Sequence, residues 1–245
     1  MEEVIVLTPL IHFCNIMNNN ETTVVPFEGV ILDMDGTLIE STEADYLAWK
    51  RVFADYNIAL PFEDYMPMLG MRSVDLVKQK LAHSKDAPET ILQRKMDYFK
   101  EIAVQKGIKT VPFAMALLQN LKQYPVRIAL ATSSRREKMK LAMENVGMLS
   151  YFDVIVTGDE VHNGKPAPDI FILAAKRLQL PPHKCLVIED AANGVMAAKS
   201  AHMKCIAITT THEAGRLQQA DLVIDSYENV DFKNWCALLN GAGVK

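Results

Sequence analysis

Short apolar runs alternate with helix-like segments through the second half of the chain. Runs such as Val126–Ala131 and Leu186–Ile188 are too short for helices and are typical of buried strands. Between such runs, apolar residues recur at helical spacing over 135–146, 169–178 and 191–201. Alternating short strands and helices predict an α/β fold with a doubly wound parallel sheet, a Rossmann-like core.

The same pattern predicts further strands on both sides of this region. They are short and apolar, and comprise Val30–Leu32, Val154–Val156, Cys205–Ile208 and Leu222–Ile224. A lone strand is unstable in water, so we expect Val30–Leu32 to join the same sheet as the later strands.

Helical patterns fill the stretch between the first strand and the rest. We predict helices that begin near Thr42, run over 73–83, and follow Pro88. Thr42 and Asp45 have the spacing of a capping box, and Asn57 is expected to follow the end of the first helix. A helical cap inserted into the sheet domain is therefore expected.

These patterns predict the domain organisation. The α/β core combines residues 25–40 with residues 109–245, and the inserted helical cap spans 41–108. Residues 1–24 are expected to form an N-terminal extension, whose function the sequence does not indicate.

Composition and charge narrow the range of partners. The chain has 245 residues, of which 49% are hydrophobic and 23% charged, as in globular proteins. A net charge of −4 without a basic stripe argues against nucleic-acid and anionic-membrane binding. No apolar run reaches the length of a membrane span. We expect a monomer in the reducing cytoplasm, with Cys185 and Cys205 as buried thiols.

Two acidic residues follow the first predicted strand directly. In Asp33-Met34-Asp35-Gly36-Thr37, alternation places Asp33 and Asp35 on the same side of the strand end. One carboxylate can act as a nucleophile while the other transfers a proton. Because crowded carboxylates repel each other, a divalent cation is expected between them. Asp and Gly also favour plain turns, so the pentapeptide alone leaves that alternative open.

Polar residues also follow the later strands. Thr132-Ser133-Ser134 offers hydroxyl and backbone N–H groups to an anion at a helix start, although a plain helix cap has the same sequence. Lys165 lies between Gly164 and Pro166, where its ammonium group can offset charge on a phosphoryl group. A lone loop lysine is more often simply solvated.

Glu189-Asp190 follows the buried strand Leu186–Ile188. Adjacent acids at such a strand end are costly without a nearby cation, unless they only stabilise the start of the next helix. Oxygen ligands from Asp33, the Asp35 backbone, Glu189 and Asp190 suit octahedral Mg²⁺. The chain has no Gly-x-Gly-x-x-Gly or Walker sequence after a strand, which argues against dinucleotide and P-loop binding.

Four motifs occur in order along the chain: Asp-x-Asp-Gly-Thr, Ala-Thr-Ser-Ser, Gly-Lys-Pro-x-Pro-Asp and Glu-Asp-Ala-x-Asn-Gly. Together they resemble the motifs of the haloacid dehalogenase superfamily over about residues 28–225. The helical insert resembles the α-helical cap of that superfamily. The chain looks most similar to the branch of β-phosphoglucomutase-like sugar-phosphate phosphatases.

The resemblance implies a Mg²⁺-dependent phosphomonoester hydrolase that acts on a small phosphorylated metabolite of the sugar-phosphate class. Asp33 is implied to form an aspartyl phosphate, and Asp35 to act first as general acid and then as general base. The remaining motif residues are implied to hold the phosphate or the metal: Thr132, Ser133 and Lys165 the phosphate, Glu189 and Asp190 the metal.

A β-phosphoglucomutase is the alternative within the same branch. Those mutases carry a cap-hinge histidine where this chain has Asp45, and a lysine where it has Leu69. Their cap arginine aligns with Ser73, one position after Arg72. These departures favour a phosphatase, because cap contacts decide substrate and water access. Gly70 and Arg72 are the candidate cap contacts to substrate, although Arg72 suits a solvated helix start equally well.

Two non-enzymatic alternatives are a signalling receiver domain and a catalytically silent phosphate-binding protein. A receiver shares an acceptor Asp, a Thr and a Lys, but is much shorter and lacks a cap. The presence of every expected catalytic residue argues against a catalytically silent protein; these residues are Asp33, Asp35, Thr132, Lys165 and Asp190.

Overall fold

A parallel sheet of six strands lies at the centre of the part of the chain that this computed structural model describes, residues 26–239. Eight strands occur there: β1 Gly29–Leu32, β2 Ile39–Glu40, β3 Lys109–Thr110, β4 Arg127–Thr132, β5 Val154–Thr157, β6 Cys185–Glu189, β7 Lys204–Ile208 and β8 Leu222–Ile224. The sheet order is β5-β4-β1-β6-β7-β8, with every neighbouring pair parallel. Within residues 26–239, the first strand lies inside the sheet and the later strands are added outward to both edges, which confirms the doubly wound α/β core.

Helices cover both faces of this sheet. The α-helices of the described residues are α1 Thr42–Asp55, α2 Phe62–Tyr65, α3 Ser73–Lys80, α4 Pro88–Lys106, α5 Ala114–Leu121, α6 Arg136–Asn145, α7 Asp169–Leu178, α8 Ala192–Ser200 and α9 Phe232–Leu239. Val30 and Leu32 of β1 pack with α5, α6 and α9, whereas Ile31 packs with α7 and α8. Alternation along a strand therefore fills two cores, one on each face.

The cap consists of α1 to α4 and has a hydrophobic core of its own. Trp49 and Val52 of α1 pack there with Val77 of α3 and Leu92 of α4. The helix predicted over 73–83 ends three residues early, because the backbone N–H of Ser84 turns back to the carbonyl of Leu81.

The capping box expected at Thr42 and Asp45 is wrong. Ser41 is the N-cap residue of α1, and no side chain caps that helix. The Asp45 carboxylate instead pairs with the ammonium groups of Lys95 and Lys138. Two buried charge-assisted hydrogen bonds outweigh one bond to a backbone N–H.

The cap is joined to the core through a two-stranded antiparallel ribbon that the sequence pattern did not predict. Ile39 of β2 pairs with Thr110 of β3, and Glu40 pairs with Lys109. The two chain crossings therefore lie side by side, close to the expected limits of 41 and 108, and those limits stay a prediction. The extension expected over 1–24 lies outside the described residues.

The cysteines of the described residues support the expected packing. Cys185 and Cys205 are fully buried in strands, as predicted, and both are free thiols, as is Cys236 of α9. Between residues 26 and 239, no helix combines the length and apolar character that crossing a membrane requires.

Candidate active site

The ends of three neighbouring strands bring most of the predicted site residues together. β1 lies between β4 and β6, so Asp33 follows β1 between Thr132 at the end of β4 and Glu189 at the end of β6. A cleft at this edge, covered by the cap, is lined by predicted residues that include Asp33, Asp35, Thr132, Ser133, Glu189, Asp190 and Gly70. Ligands bind at this edge in doubly wound sheets.

Lys165 joins Asp33 to Glu189 beneath the cleft. Its Nζ donates to Asp33 Oδ1 at 2.5 Å and to Glu189 Oε1 at 2.6 Å, and its side chain is 1% exposed. Burial, opposed by Lys165 and reinforced by Glu189 and Asp35, raises the pKa of Asp33 to about 7. Burial alone would lower the pKa of Lys165, but Asp33 and Glu189 raise it, so the ammonium stays charged.

Glu189 uses both carboxylate oxygens inside the protein. Oε1 accepts from Lys165, and Oε2 accepts from the backbone N–H groups of Asp190 and Ala191, at 2.8 Å each. A Cβ on Gly194 would lie 1.8 Å from Oε1, so glycine at this position leaves space for the carboxylate. These contacts favour a positioning role for Glu189, and its predicted role as a metal ligand stays a prediction.

Asp190 is fixed by two hydroxyl groups at the bottom of the cleft. Thr37 Oγ1 donates to Asp190 Oδ1 at 2.9 Å, and Thr211 donates to Oδ2. Burial, together with the Glu189 and Asp33 carboxylates, raises the pKa of Asp190 well above its ordinary value. Gly36 has a φ of +84°, and a Cβ there would lie 2.1 Å from Asp190 Oδ2. The Asp-Gly-Thr turn is thus shaped around Asp190.

Asp35 reaches the cap side of the cleft and is held from three directions. Ser41 donates to its Oδ1, Ser134 Oγ donates to its Oδ2 at 2.6 Å, and Lys138 Nζ lies 2.8 Å from Oδ1. Two donors that can rotate and one ammonium group fix the carboxylate toward the space where a leaving group would sit.

Lys138 and Asp45 form an ion pair in the site, and the sequence did not predict this pairing. Lys138 Nζ lies 2.7 Å from Asp45 Oδ1, and Lys95 of α4 and the Tyr65 hydroxyl also bind that carboxylate. Lys138 comes four residues before Ala142 on the buried face of α6, and this apolar phase was the available signal for its burial.

The turn after β4 carries two of the phosphate-binding candidates, Thr132 and Ser133, and contacts the cap at Gly70. Thr132 Oγ1 accepts the backbone N–H of Ser134 at 3.1 Å, which shapes the turn after β4. Ser133 Oγ donates to the carbonyl of Gly70 at 2.7 Å, so the core touches the cap loop at the rim of the cleft.

Arg72 is not among the described residues that line the cleft. Its guanidinium forms a fork with Asp75, at 2.6 and 2.7 Å, and donates to the carbonyl of Val161 at 2.6 Å. The side chain is 9% exposed. The structure therefore places Arg72 at the contact between cap and core, and its predicted role in substrate binding stays a prediction.

Comparison with protein families agrees with this geometry. The family model described as haloacid dehalogenase-like hydrolase matches residues 30–208, which includes all four motifs. The chain belongs to the haloacid dehalogenase-like hydrolase family. The expected superfamily and its helical cap are thereby confirmed, and the protein is a hydrolase of that family.

Relatives of this hydrolase include named phosphatases. Hexitol phosphatase A from Escherichia coli (strain K12) is 30% identical over 83% of this chain and 93% of its own length. Protein SUPPRESSOR OF QUENCHING 1, chloroplastic, from Arabidopsis thaliana is 33% identical over 84% of this chain, which spans 20% of that relative. The crystal structure of β-phosphoglucomutase from Clostridium difficile has a TM-score of 0.80 at 24% identity, over 88% of this chain and 98% of that one, and shows the fold.

The donor set of this hydrolase fits a divalent cation held by few protein ligands. Within residues 26–239, there is no group of three or more His, Cys, Asp or Glu side chains placed so that together they could hold a metal ion. Asp33 and Asp190 are nevertheless two buried acids whose pKa values are raised, each partly by the other acids around it. Mg²⁺ is commonly bound by one or two carboxylates, with water and substrate oxygens as its other ligands.

Proposed function

We propose that the protein is a Mg²⁺-dependent phosphatase that hydrolyses a small monophosphate ester of the sugar-phosphate class through an aspartyl phosphate on Asp33. One observation carries this proposal. The buried Asp33 carboxylate lies 2.5 Å from the Lys165 ammonium, while Asp35, two residues later, is fixed at the cap side of the same cleft. A nucleophile and a proton carrier are thus held on the two sides of one reacting position.

In the first step, an oxygen of Asp33 attacks phosphorus and the bond to the ester oxygen breaks. Asp35 gives a proton to the departing alkoxide, so the product leaves as an alcohol. In the second step, Asp35 takes a proton from water, which attacks phosphorus and releases inorganic phosphate and free Asp33. The held geometry of both acids supplies the positioning on which phosphoryl transfer depends.

Charge on the phosphoryl oxygens is balanced by Lys165 and by groups at the end of β4. The Lys165 ammonium is buried and fixed by two carboxylates, so it needs no reorganisation during the reaction. Thr132 and Ser133 stand at the turn that leads to α6, where hydroxyl and N–H groups suit phosphate oxygens.

The carboxylates of Asp33 and Asp190 and the backbone carbonyl of Asp35 would hold Mg²⁺. The metal would supply neutralisation of charge on the phosphoryl group and on the nucleophile. We assign Glu189 to the positioning of Lys165, because its oxygens accept from a buried ammonium and from two fixed backbone N–H groups. The donors to Asp190 are the hydroxyls of Thr37 and Thr211, which can rotate away from a metal ion.

The sugar-phosphate class is supported by a relative and by the lining of the cleft. Hexitol phosphatase A is by its name a phosphatase for a sugar alcohol. The cap side of this cleft offers hydroxyl groups of Thr42 and Ser73 beside the apolar side chains of Met68 and Leu76. A small polyhydroxylated leaving group matches that mixture.

The test is release of inorganic phosphate from sugar, polyol and nucleotide monophosphates with and without Mg²⁺. We expect turnover that requires Mg²⁺ and that Asp33→Asn abolishes. Asp97→Asn, an exposed site on α4, is the matched control and is expected to retain full activity. Glucose 6-phosphate formed from β-glucose 1-phosphate and a bisphosphate primer, without free phosphate, would identify a mutase instead. No turnover by folded protein would favour a silent phosphate-binding or receiver-like role.

We further propose that the protein acts as a monomer in a reducing compartment such as the cytoplasm, without nucleic-acid or membrane partners. The net charge of −4 and the free thiols of Cys185, Cys205 and Cys236 support this proposal.

A further inference from the structure

The cap side of the cleft carries an acidic side chain that the proposed reaction does not use. Asp45 of α1 lines the cleft, and its side chain is 16% exposed. Its Oδ1 binds the ammonium groups of both Lys95 and Lys138, and its Oδ2 accepts from the Tyr65 hydroxyl at 3.0 Å. Both lysine side chains are nearly buried, at 5% and 6% exposure. Asp45 thus stands where the leaving group of a substrate would lie, and its charge is used to neutralise two lysines.

The cleft has little positive charge left for a substrate. Among the described residues that line it, five are acids, Asp33, Asp35, Asp45, Glu189 and Asp190, and one is a cation, Lys138. Lys138 is itself shared by Asp35 and Asp45, at 2.8 and 2.7 Å. Lys95 and Lys165 contact these acids from behind. Counted as formal charges, five carboxylates against three ammonium groups leave a surplus of two negative charges, which one bound divalent cation would cancel without adding a positive excess.

Two arginines near the cleft, Arg72 and Arg135, already pair with carboxylates of the protein. Arg72 is held by Asp75 and by the carbonyl of Val161, outside the cleft. Arg135 lines the adjoining cavity and pairs with Glu89 at 2.6 Å, with 41% of its side chain exposed. A second anionic group on a substrate would therefore meet carboxylates without an available cation.

We propose that Asp45 selects substrates by charge: it neutralises Lys95 and Lys138 at the leaving-group side, so that the enzyme accepts monophosphate esters of uncharged alcohols and rejects esters with a second phosphate or a carboxylate. The inference rests on the proposed phosphatase function and narrows its substrate class. Juxtaposed like charges give selectivity mainly by penalising the wrong ligand.

The experiment compares two matched pairs of esters. Fructose 6-phosphate and fructose 1,6-bisphosphate differ by a second phosphate, and glycerol 3-phosphate and 3-phosphoglycerate differ by a carboxylate. For the wild-type protein, kcat/KM is expected to be at least about tenfold higher for the less charged member of each pair. In Asp45→Asn, which leaves the two lysines less neutralised, this ratio is expected to fall at least about fivefold.

A second substitution separates charge from packing. Adding Lys95→Met to Asp45→Asn removes one of the released cations, and the preference for the less charged esters is expected to return. If Asp45→Asn does not fold, Lys95→Met alone serves as the test, since it leaves Asp45 with one lysine fewer and is expected to widen the wild-type ratio. Arg135→Gln is the control for the exposed arginine and is expected to leave the ratio unchanged.

The outcomes distinguish the inference from the function on which it rests. Equal kcat/KM within each pair for the wild type, or an unchanged ratio in folded Asp45→Asn, overturns the role of Asp45 and leaves the phosphatase intact. Efficient hydrolysis of the bisphosphate that is lost in Arg135→Gln also overturns it, in favour of Arg135 as a second anion site. No hydrolysis of any ester under any metal condition overturns the proposed function together with the inference.

Discussion

Glu189 at the end of β6 and Lys165 in the loop before α7 form a buried ion pair in which Nζ and Oε1 are 2.6 Å apart. The pair matters because Lys165 has Asp33 on its other side. Glu189 is itself anchored by two backbone N–H groups at the start of the Glu189–Ala191 turn. The position of the ammonium group at the nucleophile is thereby set from β6.

Replacing Glu189 by Gln is therefore expected to reduce activity without removing a group that touches substrate. A glutamine has a single acceptor oxygen: if it accepts from the two backbone N–H groups, its NH2 group faces the Lys165 ammonium and that hydrogen bond is lost. We expect kcat/KM to fall roughly 10- to 100-fold, mainly through kcat, and the unfolding free energy to fall by about 1–3 kcal/mol. Steady-state kinetics and urea unfolding measure the two effects.

The matched control for that substitution is Glu101→Gln. Glu101 pairs with Arg51 at the surface of the cap, with about half of each side chain exposed. Exposed pairs contribute little, so both activity and stability are expected to stay near wild type. Equal losses in the two variants would show that Glu189 has no special role at Lys165.

Gly36→Ala and Gly107→Ala form a second matched pair. Both glycines have positive φ values, +84° and +75°, so alanine is strained at either position, by about 1–3 kcal/mol. A Cβ at 107 meets nothing within 4 Å, whereas a Cβ at 36 would lie 2.1 Å from Asp190 Oδ2. We expect both variants to lose stability.

Only Gly36→Ala is expected to lose activity and Mg²⁺ affinity, because only there is Asp190 displaced. A shift of about 1 Å at a catalytic constellation can cost roughly 100-fold in rate. Thermal unfolding and a Mg²⁺ titration of phosphate release measure the difference. Unchanged Mg²⁺ dependence in folded Gly36→Ala would argue against Asp190 as a metal ligand.

Arg72→Lys tests the contact between cap and core. Lysine cannot reproduce the two-pronged bond to Asp75 together with the bond to the Val161 carbonyl. We expect the unfolding free energy to drop by about 1–3 kcal/mol and limited proteolysis within the cap to become faster. A higher KM at unchanged stability would instead identify Arg72 as a substrate ligand.

The Glu160 carboxylate is expected to make the stability of the folded protein depend on pH in the acidic range. Burial works to raise its pKa, but hydrogen bonds from Arg177 and Thr157 lower it to about 2. Because the folded-state pKa lies below the unfolded value, this stabilisation is complete above about pH 4.5 and is lost as the pH falls toward 2. Glu160→Gln should be less stable than wild type at pH 7, by about 1–3 kcal/mol.

That difference is expected to shrink as the pH falls from about 4.5 to 2, which thermal unfolding across this range measures. A Glu160→Gln penalty that stays constant with pH would show that packing, rather than charge, accounts for the loss. Glu144→Gln, on the exposed face of α6, is the control and should follow the wild-type curve.

The sheet and the motif residues could be predicted because their signals are local. An apolar run followed at once by Asp33 or Glu189 identifies both the strand and the side chain at its end, and α7 and β8 have the bounds that periodicity predicts. The order of strands then brings these ends together, since parallel strands share one carboxyl edge.

Features that depend on contacts between distant segments could not be read from the sequence. The spacing of Thr42 and Asp45 predicts a helix cap, whereas the partners that Asp45 finds in the fold, Lys95 and Lys138, lie 50 and 93 residues away along the chain. Strands β2 and β3 have two residues each and lie in separate parts of the chain, so no run or turn signal marks their pairing. Arg72 likewise finds its partner at Val161, beyond any local pattern.

Because β2 pairs with β3, the cap leaves and re-enters the core at adjacent points, so the whole cap can be replaced as one unit. Paired strands lie about 4.8 Å apart, so Glu40 and Lys109 are close enough for a two-residue hairpin turn to replace everything between them. Recombination at these two points can therefore introduce a different cap, and with it a different choice of alcohol, while Asp33, Lys165 and Asp190 keep their places. A foreign cap that lacks a carboxylate in the place of Asp45 would leave the buried ammonium of Lys138 with Asp35 as its carboxylate partner from the core.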